Sequence, residues 1–133
     1  MGGPKRVILL DTHILLWLAQ EPAKLSAKAV KAIRESKDGL AISDMTVWEL
    51  ALLATRGRLK LTGTVEAFVE EIISRAAILP ITARVAAIAS QFPSSYPKDP
   101  ADRLIGATAV SESMQLVSAD THIQQSGVVR TIW

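Results

Sequence analysis

The chain of 133 residues has no cysteine. Disulfides, zinc–thiolate centres and thiol nucleophiles are therefore excluded, and the absence fits a reducing cytoplasm. Aromatic residues make up only 5%, so the core must be mostly aliphatic. Long apolar runs are missing as well. The first, Val7 to Leu10, meets Asp11 too soon for a membrane span or the hydrophobic region of a signal peptide. Arg6 stands where an N-myristoylation pattern wants Ser or Thr. Neither sign of charge dominates: 15 Lys plus Arg face 13 Asp plus Glu, for a net charge of +2. If several of those acids are drawn into one site, the remaining surface is more basic than the total suggests. A basic rim around an acidic centre suits a polyanionic substrate.

What is present is a globular composition, 49% hydrophobic and 21% charged, at a length that suits one domain over residues 1–133. Val7 to Leu10 reads as a strand buried on both faces. Asp11 or Thr12 caps a following helix through Ile14, Leu15, Trp17 and Leu18. Ser26 opens a second helix, stapled by Leu25 and Val30, whose polar face carries Lys28, Lys31, Arg34 and Lys37. Leu40 to Ser43 reads as a second strand. Asp44, read as a cap, leads a helix to Thr55 with Met45, Trp48, Leu52 and Leu53 inward. A basic, glycine-broken loop follows, Arg56 to Lys60, and then a helix from Thr64 to Ala77. Ile78 to Ile81 reads as a third strand, placed at an edge by Pro80. Helices over 82–91 and from Asp99 to about Ser113, a strand over Leu116–Ser118, a helical turn after Asp120 and a last strand over 128–133 complete the chain. Strands alternating with helices predict an α/β fold with a mostly parallel sheet and helices on both faces.

Within that order, the acids stand out. Ligands bind at the carboxyl ends of strands in an open parallel sheet. Asp11 follows the first strand and Asp120 the fourth. Glu49 lies in an apolar stretch of the helix after the second strand, where a carboxylate needs a partner. Asp99-Pro100 is a standard helix start, which leaves Asp99 at most an outer-sphere contact to a metal, and Asp102 sits in the first turn of that helix. Each acid has a structural alternative in capping, the helix dipole or solvation. Gathered together they would repel one another unless a hard cation, Mg²⁺ or Mn²⁺, sat among them.

Four blocks carry these acids: LLDTHILLW from Leu9, ISDMTVWEL from Ile42, DPADRLIGA from Asp99 and LVSAD from Leu116. In these blocks, and in their order, the chain resembles the PIN-domain ribonucleases, most closely the VapC-type toxins of toxin–antitoxin pairs. The resemblance implies a three-layer α/β/α domain with a four- or five-stranded parallel sheet. It assigns the family's acidic quartet to Asp11, Glu49, Asp102 and Asp120, with Asp11, Asp102 and Asp120 as ligands to Mg²⁺ or Mn²⁺. Ser118 matches a small hydroxyl position that is often Thr in the family, and nothing follows from Gly106.

The resemblance further implies RNA as substrate, a small cognate antitoxin protein as partner, a homodimer, a cytoplasmic location and no membrane. Substrate contacts are expected from Arg103, Lys98, Arg56, Arg58, Lys60 and Ser118, although a solvated surface is the ordinary reading of any one of the bases. His13 and His122 do not support His-based catalysis, since no nucleophilic Ser or Cys site accompanies them. Trp17 and Trp48 are expected in the core, and Trp133 on the domain or at a dimer contact. A phosphatase with Asp11 as nucleophile wants a second Asp at the position of His13. Two alternatives stay open: an RNA-binding module of the same fold without cleavage, and a PIN nuclease acting in RNA processing outside toxin–antitoxin systems.

Overall fold

The computed structural model describes residues 7–57 and 61–133. Five short parallel strands form one sheet in the order β3-β2-β1-β4-β5: β1 (Ile8–Leu10), β2 (Leu40–Ser43), β3 (Ala77–Leu79), β4 (Leu116–Val117) and β5 (Thr131–Ile132). The chain moves outward from β1 through β2 to β3, then returns to lay β4 and β5 on the other side. The order therefore reverses at β1 and β4, which makes a crevice at their carboxyl ends. Asp11 and Asp120 follow those two strands.

Side-chain alternation along β1 divides the core. Ile8 and Leu10 face one layer with Ile42 and Val117, against α1 (Thr12–Gln20), α2 (Ala27–Glu35), α3 (Asp44–Thr55) and α4 (Val65–Ile73). Leu9 faces the other with Ala41 and Leu116, against Ile105 and Ala109 of α6 (Pro100–Ser111) and Ile123 of α7 (Thr121–Ser126). Outside that layer α5 (Ala83–Ser90) packs on α6 through Val85, Ala89 and Ala107. This is the three-layer α/β/α arrangement expected from the sequence. No helix among the described residues is long and apolar enough to cross a membrane.

Three local expectations are corrected. Trp48 is 57% exposed and does not enter the core. The buried stripe of α3 is Thr46, Leu50 and Ala54, spaced four apart, and Trp48 lies about 200° around the helix from Thr46. Ser43, not Asp44, caps α3, by accepting from the Met45 N–H; Asp44 instead accepts from the Ile81 N–H at 3.2 Å. The third strand stops at Leu79 and leaves Ile81 exposed beyond Pro80, although β3 is an edge strand as the proline implied. Gly106 also gains a reason. A Cβ there would collide with the Tyr96 ring, which lies buried against α6.

Candidate metal centre

Asp11 is the N-cap of α1. Its Oδ1 accepts from the Thr12 N–H at 2.9 Å, and its Oδ2 accepts from the Ser118 hydroxyl at 2.9 Å. Burial pushes the Asp11 pKa up, the two hydrogen bonds and nearby His13 pull against it, and the Asp120 carboxylate adds repulsion. Ser118 in turn accepts from the Asp120 N–H at 3.1 Å, so one hydroxyl ties the ends of β1 and β4 together. Ser118 is fully buried and both of its hydrogen-bonding roles are used inside the protein. Its hydroxyl is thus committed to Asp11 and Asp120, away from the rim where a substrate contact was expected.

Asp120 caps α7 through Oδ1, which accepts from the N–H groups of His122 at 2.8 Å and Ile123 at 3.2 Å. Asp99 caps α6 in the same way, with Oδ1 accepting from Ala101 at 2.8 Å and Asp102 at 3.2 Å. Asp102 then stands in the first turn of α6. Burial raises its pKa first, and repulsion from Asp11, Asp99, Asp120 and Glu49 raises it further, to about 7. Those same neighbours show that the quartet and Asp99 share one electrostatic site.

Glu49 reaches this site from α3. Its Oε1 accepts from the Thr12 hydroxyl at 2.6 Å, and Thr12 lies 3.0 Å from the Thr46 hydroxyl. Thr12 has one hydroxyl proton and gives it to Glu49, so Thr46 must donate to Thr12. Burial raises the Glu49 pKa, the Thr12 bond lowers it, and Asp11 and Asp99 raise it again. Thr12 and Thr46 are buried, and sequence reasoning gave Thr12 only a capping role and Thr46 none. Thr46 was findable: three residues before Glu49 on a helix is the same face.

Tyr96 is the other omission. Its hydroxyl donates to the Asp102 carbonyl at 2.8 Å and fixes the turn that carries the carboxylate. Burial and the carboxylates of Asp102, Asp11 and Asp120 push its pKa up, so it stays a donor. Arg103 was expected on the substrate rim and is instead turned inward. Nε donates to the Pro97 carbonyl at 3.0 Å, and Nη1 to that of Phe92 at 3.2 Å. The guanidinium thus ties the segment before α6 to the helix. Lys98 and Arg56 are exposed, and Arg58 and Lys60 lie outside the described residues. His122 is exposed, with Nδ1 3.7 Å from Asp120.

The donors fit a hard divalent cation. All are carboxylate oxygens, and burial together with their mutual repulsion raises the Asp102 pKa to about 7. Among the described residues no three acidic or histidine side chains form a ready-made ligand set. Mg²⁺ does not require one, because it keeps several waters and takes one or two carboxylates directly.

Comparison with known proteins bears on what such a site is for. The family model described as PIN domain matches residues 8–128. Ribonuclease VapC22 of Mycobacterium tuberculosis is 39% identical over 128 residues, covering 95% of this chain and 98% of that one. FitAcB from Neisseria gonorrhoeae superposes with a TM-score of 0.68 at 26% identity, covering 93% of this chain and 95% of the other. VapBC2 from Rickettsia felis, solved bound to a DNA fragment from its promoter, gives a TM-score of 0.71 over 94% and 96% of the two chains. Its 15% identity speaks for the fold alone. Divalent-metal dependence is a property of PIN ribonucleases, and the donor set described above is compatible with it. On the match over residues 8–128 and the 39% identity across nearly the whole chain, the protein belongs to the PIN-domain family.

Proposed function

We propose that the chain, as a single PIN domain over 1–133, is a Mg²⁺- or Mn²⁺-dependent ribonuclease and the cytoplasmic toxin of a toxin–antitoxin pair. The observation that carries this reading is the gathering of Asp11, Glu49, Asp99, Asp102 and Asp120 at the β1/β4 crevice, where burial first and then its acidic neighbours raise Asp102 to about 7. Asp11, Asp102 and Asp120 would hold the ion, with Asp99 in contact through water. A bound divalent ion lowers the pKa of its water and polarises the phosphoryl oxygen. Thr12 holds Glu49 through Oε1, which leaves Oε2 to orient the attacking water and take its proton. Ser118 keeps Asp11 and Asp120 in register. Water, not the RNA 2′-hydroxyl, is the nucleophile, so the products carry 5′-phosphate and 3′-hydroxyl ends.

The antitoxin has a surface that suits it. Trp48 and Ile78 line an apolar trough of about 670 Å³ between α3 and α4, with Asp44, Glu66 and Glu70 on its walls. An antitoxin segment with apolar anchors and basic flanks matches that chemistry. The toxin itself is proposed to be a homodimer.

The alternative is an RNA-binding module of the same fold without cleavage. One experiment separates the two. Purified protein with Mn²⁺ should cut RNA and Asp11→Asn should not, though both bind it. Equal binding with no cutting by either leaves the module; cutting that survives in EDTA overturns the metal-dependent reading.

A further inference from the structure

The end of the sheet opposite the acids has its own character. The amino ends of β1, β4 and β5, together with one side of α2, enclose a cleft of about 580 Å³. Among the described residues its charged lining is Lys28, Lys31 and Arg130 against Glu35. All four are exposed, and none belongs to an ion pair among the described residues. Lys28 and Lys31 share a face of α2, being three apart. Arg130 comes from the opposite wall, just before the edge strand β5, and a single hydrogen bond from Nη2 to the Ser113 carbonyl at 3.3 Å fixes its guanidinium. Most of its donors remain for a ligand.

Three cations from two separate segments around one open cleft are the footprint of a polyanion. The charge balance agrees. With five of the thirteen acids drawn to the metal centre, the rest of the chain carries eight acids against fifteen bases. A line of rings also leads from the acids toward β5. His13 follows Asp11 and lies 6.1 Å from Trp17, centroid to centroid; Trp17 lies 6.0 Å from Trp133; and Trp133 follows Ile132, which lines the cleft. Such rings, His13 exposed and the two tryptophans half-buried, offer faces on which bases stack without sequence preference.

We propose that the cleft of Lys28, Lys31 and Arg130 binds the phosphate backbone of the RNA strand beyond the scissile bond, the strand leaving the acidic centre along His13, Trp17 and Trp133. This rests on the ribonuclease reading above. It gives the enzyme a grip on long RNA that is separate from the reacting phosphate, and it explains how an acidic centre that repels phosphates nonetheless recruits a polyanion.

The test measures binding of a fluorescein-labelled single-stranded RNA of about twenty nucleotides by anisotropy, in EDTA, with Asp11→Asn protein so that nothing is cut. Replacing Lys28, Lys31 and Arg130 together by Gln should reduce the slope of log affinity against log salt by about 2, since each phosphate contact on a single strand contributes about 0.7. Affinity at low salt should fall at least about tenfold. Lys28→Arg with Lys31→Arg, which keeps the charge, should leave the slope unchanged. An unchanged slope in the Gln triple variant, with its melting temperature intact, overturns the proposal. Cleavage of the same RNA by the otherwise unaltered protein with Mn²⁺ tests the reading beneath it. Cutting with an unchanged slope removes the cleft alone, whereas absence of cutting removes the ribonuclease.

Discussion

Replacing Asp102 by Asn should make the metal-free protein more stable. Asp102 is pushed from 3.8 to about 7 by burial and by its acidic neighbours. A carboxyl whose folded pKa lies above its unfolded one costs nothing below the unfolded value, where both states hold the proton. The cost grows as pH rises toward the folded value and is complete just above it. Asn carries no charge and escapes it. At 1.36 kcal/mol per pH unit the full difference would be about 4 kcal/mol. The side chain is only partly buried, so solvent and salt screen it, and about 1–2 kcal/mol is the figure to expect. For a domain of this size that raises Tm by about 4–8 °C. The assay is thermal unfolding in EDTA, at about pH 5 and about pH 8. Roughly a third of the gain belongs at the lower pH and nearly all of it at the higher. Saturating Mn²⁺ should narrow the gap by stabilising the original carboxylate and not the amide. Equal Tm at about pH 8, or a gap that ignores pH, would refute the claim that burial and its acidic neighbours raise the Asp102 carboxyl.

Two further substitutions test the parts around the acids. Thr12→Val keeps the shape but removes the donor to Glu49 Oε1 and strands the Thr46 hydroxyl. It should slow cleavage about 10–100-fold, as losses of supporting hydrogen bonds at metal sites do, and Thr12→Ser should recover most of the rate in a kcat measurement. Gly106→Ala forces a methyl into the Tyr96 ring and its bond to the Asp102 carbonyl. Denaturant unfolding should show a loss of about 1–3 kcal/mol, and no loss would mean the Tyr96 contact yields freely.

The strands and most of the acids were legible because Asp11 and Asp120 stand just past a strand and Asp102 in the first turn after a capping residue, while Glu49 showed only as a carboxylate in an apolar stretch of helix. The misreadings have physical causes. Helix α3 is apolar nearly all round, so its sequence supports more than one buried stripe. Packing chose Thr46, Leu50 and Ala54, the stripe that brings Glu49 to Thr12 and turns Trp48 outward. Arg103 looked like a rim base because sequence carries no sign of where a guanidinium points; the carbonyls that receive it belong to residues 89–97 and are brought near only by folding. Thr12 was weighed as a cap, yet its value lies in a bond to a residue 37 positions away.

Capping and ligation were weighed as rivals at Asp11, Asp99 and Asp120, and the geometry removes the rivalry. In all three the capping bonds fall on Oδ1. One oxygen holds the helix start and the carboxylate still delivers its charge to the crevice, so the fold orients the site with the bonds that end its loops. This decides how the site should be probed. Ala at any of these positions removes a cap worth about 1 kcal/mol as well as a charge, and lost cleavage would then have two causes. Asn caps about as well as Asp and carries no charge. An Asp11→Asn or Asp120→Asn protein that keeps its fold and loses Mn²⁺-dependent cutting isolates the charge. One that keeps cutting would mean that these acids serve only to start their helices.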